Sequence, residues 1–247
     1  MSRYLQVLER AERENELLPP VGVPAAQPAN GNRPRSLDGL MRDEITKLVQ
    51  RVFLPPNESA APRAVAFCGL EHSEASTRIC ARAGRALSRQ GASTVCLVDA
   101  NLRTPSLHAH FGVENRRGLV DALFQASPIC DLAQSLPGTN IWIVPGGMPT
   151  ADVYTRLSGD LMQSCLAELR TRFSYVLVDT PPADLYADAG VVGRLVDGLI
   201  LVVEANSTRR ETTQQAKAGL DAANVRILGA VLDKRTFPIP EIFYRRL

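Results

Sequence analysis

The sequence has little of what marks several large classes of protein. Aromatic residues make up 5% of the 247 residues, and the formal net charge is only +2. No run interleaves basic with aromatic side chains, so we expect neither a stacking platform for single strands nor other nucleic-acid binding. The longest apolar run, GLILVV at 198–203, has the length of a buried strand and is far too short to cross a bilayer.

The five cysteines are odd in number, and no two form a CxxC pair. Most stand inside apolar runs, which predicts reduced, buried thiols rather than disulfides or a metal site. The first residues, MSRYLQVLERAERENEL, are charged throughout and do not resemble a secretory signal. We therefore expect a cytoplasmic protein.

The composition divides the chain into three segments. Residues 1–18 predict a short helix with a thin apolar stripe. Residues 19–36 are dominated by Pro, Gly, Ala and Asn and predict a flexible linker. Residues 37–247 predict the folded domain, which opens with an amphipathic helix over 37–54.

From residue 64 onward, short apolar runs alternate with amphipathic segments. Continuous apolar runs are typical of strands that are covered on both faces. The sequence thus predicts an α/β fold: an open, mostly parallel sheet with helices on both faces and ligands at the carboxyl ends of the strands. The predicted strands are 64–68, 94–98, 140–144, 175–179, 198–203 and 226–232. The predicted helices between them are 76–90, 118–125, 152–172, 188–195 and 208–223.

The first strand leads into a loop of the kind that binds phosphate. Such loops end in Gly-Lys-Ser or Gly-Lys-Thr, because backbone N–H groups and the lysine contact the phosphates. The segment GLEHSEAST keeps Gly69 and the hydroxyls of Ser76 and Thr77. Glu74, however, stands in place of the glycine, and Ala75 in place of the lysine.

These replacements predict weak nucleotide binding or none. The side chain of Glu74 restricts positive φ, and Glu71 and Glu74 add negative charge where phosphates would lie. Losing one charge-assisted hydrogen bond costs about ten- to a hundredfold in affinity. The Glu74 carboxylate is also expected to bond the N–H groups at the helix start, as a phosphate would. The chain has only three lysines, and nothing in the sequence predicts that any of them enters the loop. They are Lys47, Lys217 and Lys234.

Two further strands end in aspartate. Asp99 follows one in TVCLVDANLRTP, and Asp179 follows another in YVLVDTPP. Buried carboxylates are costly unless they have partners, and in nucleotide-binding α/β folds they hold Mg²⁺, its waters or an attacking hydroxyl. Each aspartate alone could simply cap the next helix. Two of them beside a strand–loop–helix favour a nucleotide site.

Three segments carry a family resemblance. VCLVDANLRTPSLHAHFGVENRRGLVDAL and YVLVDTPPADLYADAGVVGRLVDGLILVVEANSTRRETTQQA resemble two Walker segments of the bacterial tyrosine autokinases of capsule and exopolysaccharide operons. RILGAVLDK resembles their adenine-side strand. These kinases belong to the MinD/ParA class of P-loop ATPases, so the resemblance implies ATP and Mg²⁺ as cofactors. It spans residues 40–235.

The resemblance implies a role for each matched position. Asp99 would be a catalytic base and a metal-linked carboxylate, and Asp179 would order Mg²⁺ through water. Ser76 or Thr77 would give the metal its hydroxyl ligand. The positions implied in cofactor binding are Gly69, Glu74, Ala75, Ser76, Thr77, Asn101, Arg103 and Asp233.

This chain also departs from the family at several of its matched positions. Asn101 replaces an aspartate that faces the metal, and Asp233 replaces an asparagine that reads adenine. The family pattern Glu-x-x-Arg-x-x-Arg, used in oligomer contacts, is Glu44, Lys47 and Gln50 here, which weighs against ring formation.

Three functions stay open. The first is a catalytically weakened relative that acts by protein contacts in exopolysaccharide assembly. Its expected partner is a membrane chain-length-determinant (co-polymerase) protein, which would hold it at the inner face of the plasma membrane, and a homo-oligomer is allowed. The second is a working tyrosine autokinase or ATPase with an unusual loop. The third is a MinD/ParA-like positioning ATPase, against which the missing loop lysine weighs.

One helix carries a regular basic pattern. Arginines recur at helical spacing at Arg78, Arg82, Arg85 and Arg89. We interpret this stripe as a solvated face, with a surface for a membrane or an anionic partner as the alternative.

Overall fold

The computed structural model describes residues 37–55, 61–125, 127–148, 157 and 159–234. The chain divides into two units, Met1–Leu37 and Asp38–Leu247. The predicted N-terminal helix at 1–18 and the predicted linker at 19–36 lie outside the described residues. Within the described ranges, no helix is both long and apolar enough to cross a bilayer.

Among the described residues, seven strands form one sheet in the order β3-β4-β2-β5-β1-β6-β7. Neighbouring strands run parallel except β3 and β4, which are antiparallel. The predicted open, mostly parallel sheet is therefore confirmed. The strands are β1 Ala64–Cys68, β2 Val95–Asp99, β3 Gln134–Ser135, β4 Ile141–Val144, β5 Tyr175–Thr180, β6 Gly198–Glu204 and β7 Ile227–Asp233.

Helices cover both faces of the sheet. They are α1 Leu37–Phe53, α2 Ala75–Leu87, α3 Leu107–Phe111, α4 Leu119–Gln125, α5 Asp160–Arg172, α6 Asp188–Gly193 and α7 Arg210–Ala222, with a 3₁₀ turn at Ile129–Leu132. The first three share one apolar cluster with the sheet, and α4 to α7 share the other.

The central strand β1 shows why the strands are continuous apolar runs. Val65 and Phe67 belong to one apolar cluster, whereas Ala64, Ala66 and Cys68 belong to the other. Both faces of the strand are thus buried, so the residues that point to either face must be apolar. All five cysteines are unpaired and four are buried, as predicted, and burial raises the pKa of Cys68 to about 12.

The structure differs from the prediction in its short elements. The two-residue β3 and the five-residue α3 were not predicted, because neither is long enough to show a periodic pattern. The helix predicted over 152–172 begins at Asp160, after Gly159 in an extended conformation (φ −91°, ψ 173°). Leu157 and Gly159 lie outside the helix, and residues 151–156 and 158 are not described.

Candidate functional site

Two carboxylates meet at the carboxyl edge of the sheet. Asp99 ends β2 and stands in register with Asp179 on the neighbouring parallel strand β5. Both side chains are fully buried. Strand neighbours lie about 4.8 Å apart, so the two carboxylates are close together. The start of α2, with Ser76 and Thr77, lies beside them.

Asp179 is only partly satisfied. The Thr77 hydroxyl donates to Asp179 Oδ2 over 2.5 Å, while Asp179 Oδ1 is buried without a partner among the described residues. Burial first, and the charge of Asp99 second, raise the pKa of Asp179 well above its usual range. The Ser76 and Thr77 hydroxyls offset this only in part.

Asp99 has a structural role as well. The Leu107 N–H, at the first residue of α3, donates to Asp99 Oδ2 over 2.9 Å, and the Asn101 N–H donates to Oδ1 over 3.2 Å. Asp99 therefore caps the next helix, which was the alternative interpretation of a lone aspartate. Burial, only partly offset by these N–H groups, raises its pKa to about 7.

The residues at this edge suit a hard divalent cation. Carboxylate and hydroxyl oxygens are the donors that Mg²⁺ prefers, and it usually keeps several waters. The unpartnered Oδ1 of Asp179 would gain a partner, and the cation would offset the two negative charges. Nowhere in the described chain do three or more His, Cys, Asp or Glu gather as a metal group. A magnesium ion here would be held by the two aspartates, the hydroxyls and water.

The loop between β1 and α2 is closed by contacts with the rest of the chain. The Ala183 N–H donates to the Gly69 carbonyl over 3.2 Å. Glu71 takes a positive φ of 57°, and its N–H donates to Asp184 Oδ1 over 2.9 Å. The positive φ that phosphate loops assign to glycine is adopted here by a glutamate.

Ser73 holds the end of the loop. Its Oγ accepts a hydrogen bond from the Ala75 N–H over 3.0 Å and donates to Glu204 Oε1 over 2.6 Å. Ser73 thereby satisfies the first N–H of α2, as a helix-capping serine does. The signal for this cap in the sequence is a serine two residues before the helix.

Glu74 has an ordinary backbone conformation, at φ −80° and ψ 9°, as expected for a side chain that restricts positive φ. The capping expected of its carboxylate is wrong. Its side chain is exposed and makes no capping hydrogen bond within the described part of the chain. The capping that we assigned to the Glu74 carboxylate is done by Ser73.

Basic side chains reach the loop region from outside it. Lys234 Nζ lies 2.9 Å from Glu204 Oε1, the same oxygen that accepts from Ser73. Arg78 Nη2 is ion-paired with Asp233 Oδ2. The sequence does not predict that Lys234 approaches the loop. In the structure, Lys234 is ion-paired with Glu204, and Glu204 is hydrogen-bonded to Ser73 of the loop.

Two residues predicted to bind the cofactor, Arg103 and Asn101, contact other side chains of the protein. Arg103 Nε donates to Asp188 Oδ2 over 2.9 Å, and its guanidinium lies 3.8 Å from the centre of the Tyr186 ring. Asn101 Oδ1 accepts weak hydrogen bonds from Thr104 at 3.4 Å. The structure thus gathers the two aspartates with Ser76 and Thr77 and holds Arg103 and Asp233 in ion pairs.

Similar proteins were found by sequence. The chain is 30% identical over 144 residues to tyrosine-protein kinase YwqD of Bacillus subtilis (strain 168), covering 58% of this chain and 61% of that protein. It is 27% identical over 180 residues to tyrosine-protein kinase CpsD of Streptococcus pneumoniae, covering 70% and 76%. The chain is a homologue of the bacterial tyrosine-protein kinases. No protein-family model matches this homologue. Its match spans less than two thirds of the length of YwqD.

Solved structures share the fold of this kinase homologue. The chimerical protein CapA2B2 has a TM-score of 0.74 at 18% identity, covering 83% of this chain and 88% of that one. The VpsO kinase domain has a TM-score of 0.72 at 23% identity, covering 80% and 96%. MinD of Aquifex aeolicus has a TM-score of 0.59 at 18% identity, covering 74% and 73%. The predicted MinD-like P-loop fold is confirmed.

Proposed function

We propose that this kinase homologue is a regulatory or scaffold subunit of capsule or exopolysaccharide biosynthesis, with weakened ATP binding. The proposal depends on one observation: two backbone N–H groups of the loop are already bonded to the chain's own oxygens. The Ala75 N–H is taken by Ser73, and the Glu71 N–H by Asp184.

A phosphate would have to compete with these internal acceptors. Phosphate loops bind because backbone N–H groups and a lysine point at the ligand. Here the carboxylates of Asp184 and Glu204 accept from the loop, as phosphate oxygens would. Ala75 is buried and brings no charge. ATP would therefore meet added negative charge and few available donors.

The function then rests on protein contacts. The partner we propose is a membrane chain-length-determinant protein, with this chain in the cytoplasm at the inner face of the membrane. Homo-oligomer contacts through α1 are weakened in this proposal, because Lys47 Nζ pairs with Glu44 of its own helix at 2.6 Å.

An active tyrosine kinase is the second candidate. The observation in its favour is the aspartate edge, where Asp179 Oδ1 has no partner among the described residues and Thr77 is in hydrogen-bond contact. Lys234, which is ion-paired with Glu204 beside the loop, is a candidate replacement for the missing lysine.

Calorimetry of ATP with Mg²⁺ separates the two candidates. We expect no binding by the native chain up to about millimolar ATP. Ala75→Lys restores the missing charge and should restore binding if the lysine alone is absent. Ala218→Lys, on the exposed face of α7, is the matched control and should bind no better than the native chain. Micromolar binding by the native chain, or phosphotyrosine on the purified protein, would contradict the scaffold proposal.

A further inference from the structure

A cavity of about 300 Å³ lies between α1 and α2, away from the loop. Four arginines line it: Arg42 from α1, Arg82 and Arg85 from α2, and Arg89 from the turn that follows α2. The other lining residues are apolar or neutral, including Ile45 and Gln90. Among the described residues that line this arginine cavity, none is acidic.

The helical spacing explains why these arginines converge. Arg82 and Arg85 are three residues apart and therefore share one face of α2, and Arg89 follows in the turn after the helix ends at Leu87. The sequence predicts a solvated face for this stripe. That is wrong for Arg82, because α1 lines the same cavity and Arg82 Nη1 is buried.

Within the described part of the chain, these arginines are not all satisfied. Arg82 Nη1 has no hydrogen-bond partner in the described part of the structure. Arg85 Nη2 donates to the His110 carbonyl over 2.6 Å, and its guanidinium lies 4.5 Å from the centre of the Phe111 ring, so it meets no carboxylate there. A buried charge without a partner is destabilising, and four like charges around one cavity add repulsion.

An anion would satisfy this arrangement. The planar guanidinium fork matches phosphate oxygens, often with two hydrogen bonds at once. The volume lies at the lower end of small-molecule sites, and Met41, Ile45 and Ala86 give it an apolar wall. A ligand larger than a small phosphorylated molecule would extend out of the cavity.

We propose that the arginine cavity binds a small anion carrying one or two phosphate groups. Arg82 supplies the buried donor, Arg85 a second fixed guanidinium, and Arg42 and Arg89 the exposed charges at the rim. The site is distinct from the aspartate edge and does not rest on the proposed function.

Inorganic pyrophosphate, titrated into the full chain without Mg²⁺, tests this site. We expect binding that weakens as salt rises, and about ten- to a hundredfold weaker binding in Arg82→Gln. Arg210→Gln, an exposed arginine on α7, is the matched control and should bind as the native chain does. Ser73→Ala changes the loop and not the cavity, so it should not weaken pyrophosphate binding.

The melting temperature of the Arg82→Gln variant distinguishes a ligand-binding role of Arg82 from a structural one. Because Arg82 Nη1 lacks a partner, Arg82→Gln should not lower the melting temperature of the ligand-free protein. If Arg82→Gln fails to fold, the double variant Arg42→Gln/Arg89→Gln decides, since both side chains are exposed. The proposal is overturned if pyrophosphate does not bind at millimolar concentration, or if these variants bind it as tightly as the native chain. It is also overturned if Ser73→Ala abolishes binding and Arg82→Gln does not.

The phosphate can come from a soluble molecule or a lipid headgroup. Phosphatidylglycerol vesicles distinguish these sources once pyrophosphate binding is established. Vesicle binding that pyrophosphate competes away and Arg82→Gln weakens supports the site with a lipid headgroup as its ligand. Pyrophosphate binding with no vesicle binding supports the same site with a soluble ligand.

Discussion

At the carboxyl edge of the sheet, the aspartate side of the candidate site and its loop side satisfy their polar groups differently. Asp99 and Asp179 are fully buried next to each other, and burial raises both pKa values. The loop side is more exposed, and its Glu71 N–H and Ser73 hydroxyl are paired with Asp184 and Glu204. The aspartate side leaves Asp179 Oδ1 without a partner among the described residues, whereas these two loop donors already have acceptors.

This contrast shows that two neighbouring parts of the candidate site can satisfy their polar groups independently. An aspartate on a buried strand also stabilises the fold: Asp99 caps α3 through the Leu107 N–H. Ala75, in contrast, is buried in the apolar cluster that α2 shares with the sheet and brings no charge to the loop.

The largest expected effect is on the pH dependence of stability. Both aspartate pKa values are raised in the folded state, so their stability contribution is complete below the unfolded pKa near 4 and is lost as pH rises through the folded pKa. For Asp99, with a pKa of about 7, the loss is on the order of 4 kcal/mol. Asp179→Asn removes one of the two charges and should raise the melting temperature at pH 8.

Thermal melts without Mg²⁺ between pH 5 and 8 measure this effect. The difference between Asp179→Asn and the native chain should grow as pH rises. Asp221→Asn, at an exposed aspartate on α7, is the control and should show no such growth. A difference that shrinks with rising pH would contradict the raised pKa values.

Magnesium should stabilise the native chain at pH 8. A ligand that binds only the folded state adds about 2.7 kcal/mol at a hundred times its dissociation constant. The shift should be absent in Asp179→Asn, and ATP should add nothing to it. If ATP raises the melting temperature further, the loop side is not closed and the contrast fails.

Glu204→Gln should open the loop. The substitution weakens the hydrogen bond from Ser73 and the ion pair with Lys234. Because Lys234 is largely exposed, its ion pair contributes little to the expected loss of stability. We expect a loss of about 1–2 kcal/mol in the free energy of unfolding and faster hydrogen exchange at residues 70–75. Glu211→Gln, at an exposed glutamate on α7, should leave both unchanged.

The smallest effect compares two neighbours in the loop. Ser73→Ala removes the partner of the Ala75 N–H and should cost about 1 kcal/mol. Glu74→Gln should change stability by less than about 0.5 kcal/mol, because its exposed side chain makes no capping bond in the described structure. Urea unfolding of both variants measures the two losses in the free energy of unfolding. A larger loss in Glu74→Gln than in Ser73→Ala would show that the Glu74 carboxylate, and not Ser73, caps the helix.

The sheet and the aspartate edge could be predicted because their signals are local. Continuous apolar runs predicted the buried strands, and an aspartate at a strand end lies at the carboxyl edge whatever the remaining topology. The contacts that close the loop are not local. Asp184 and Glu204 lie 113 and 131 positions from their partners, and nothing near Glu71 or Ser73 indicates them. The error at Glu74 came from its charge, where the hydroxyl of Ser73 was the better capping group.

The hydrogen bond from Ser73 to Glu204 and the ion pair from Lys234 also bear on how the protein is synthesised. The loop leaves the ribosome early, whereas Glu204 follows 131 positions after Ser73 and Lys234 comes later still. Chains emerge at about 5–20 residues per second, so the loop stays without its acceptor for several seconds or longer. A nascent chain therefore leaves the Ser73 hydroxyl without the carboxylate that accepts its hydrogen bond in the finished protein.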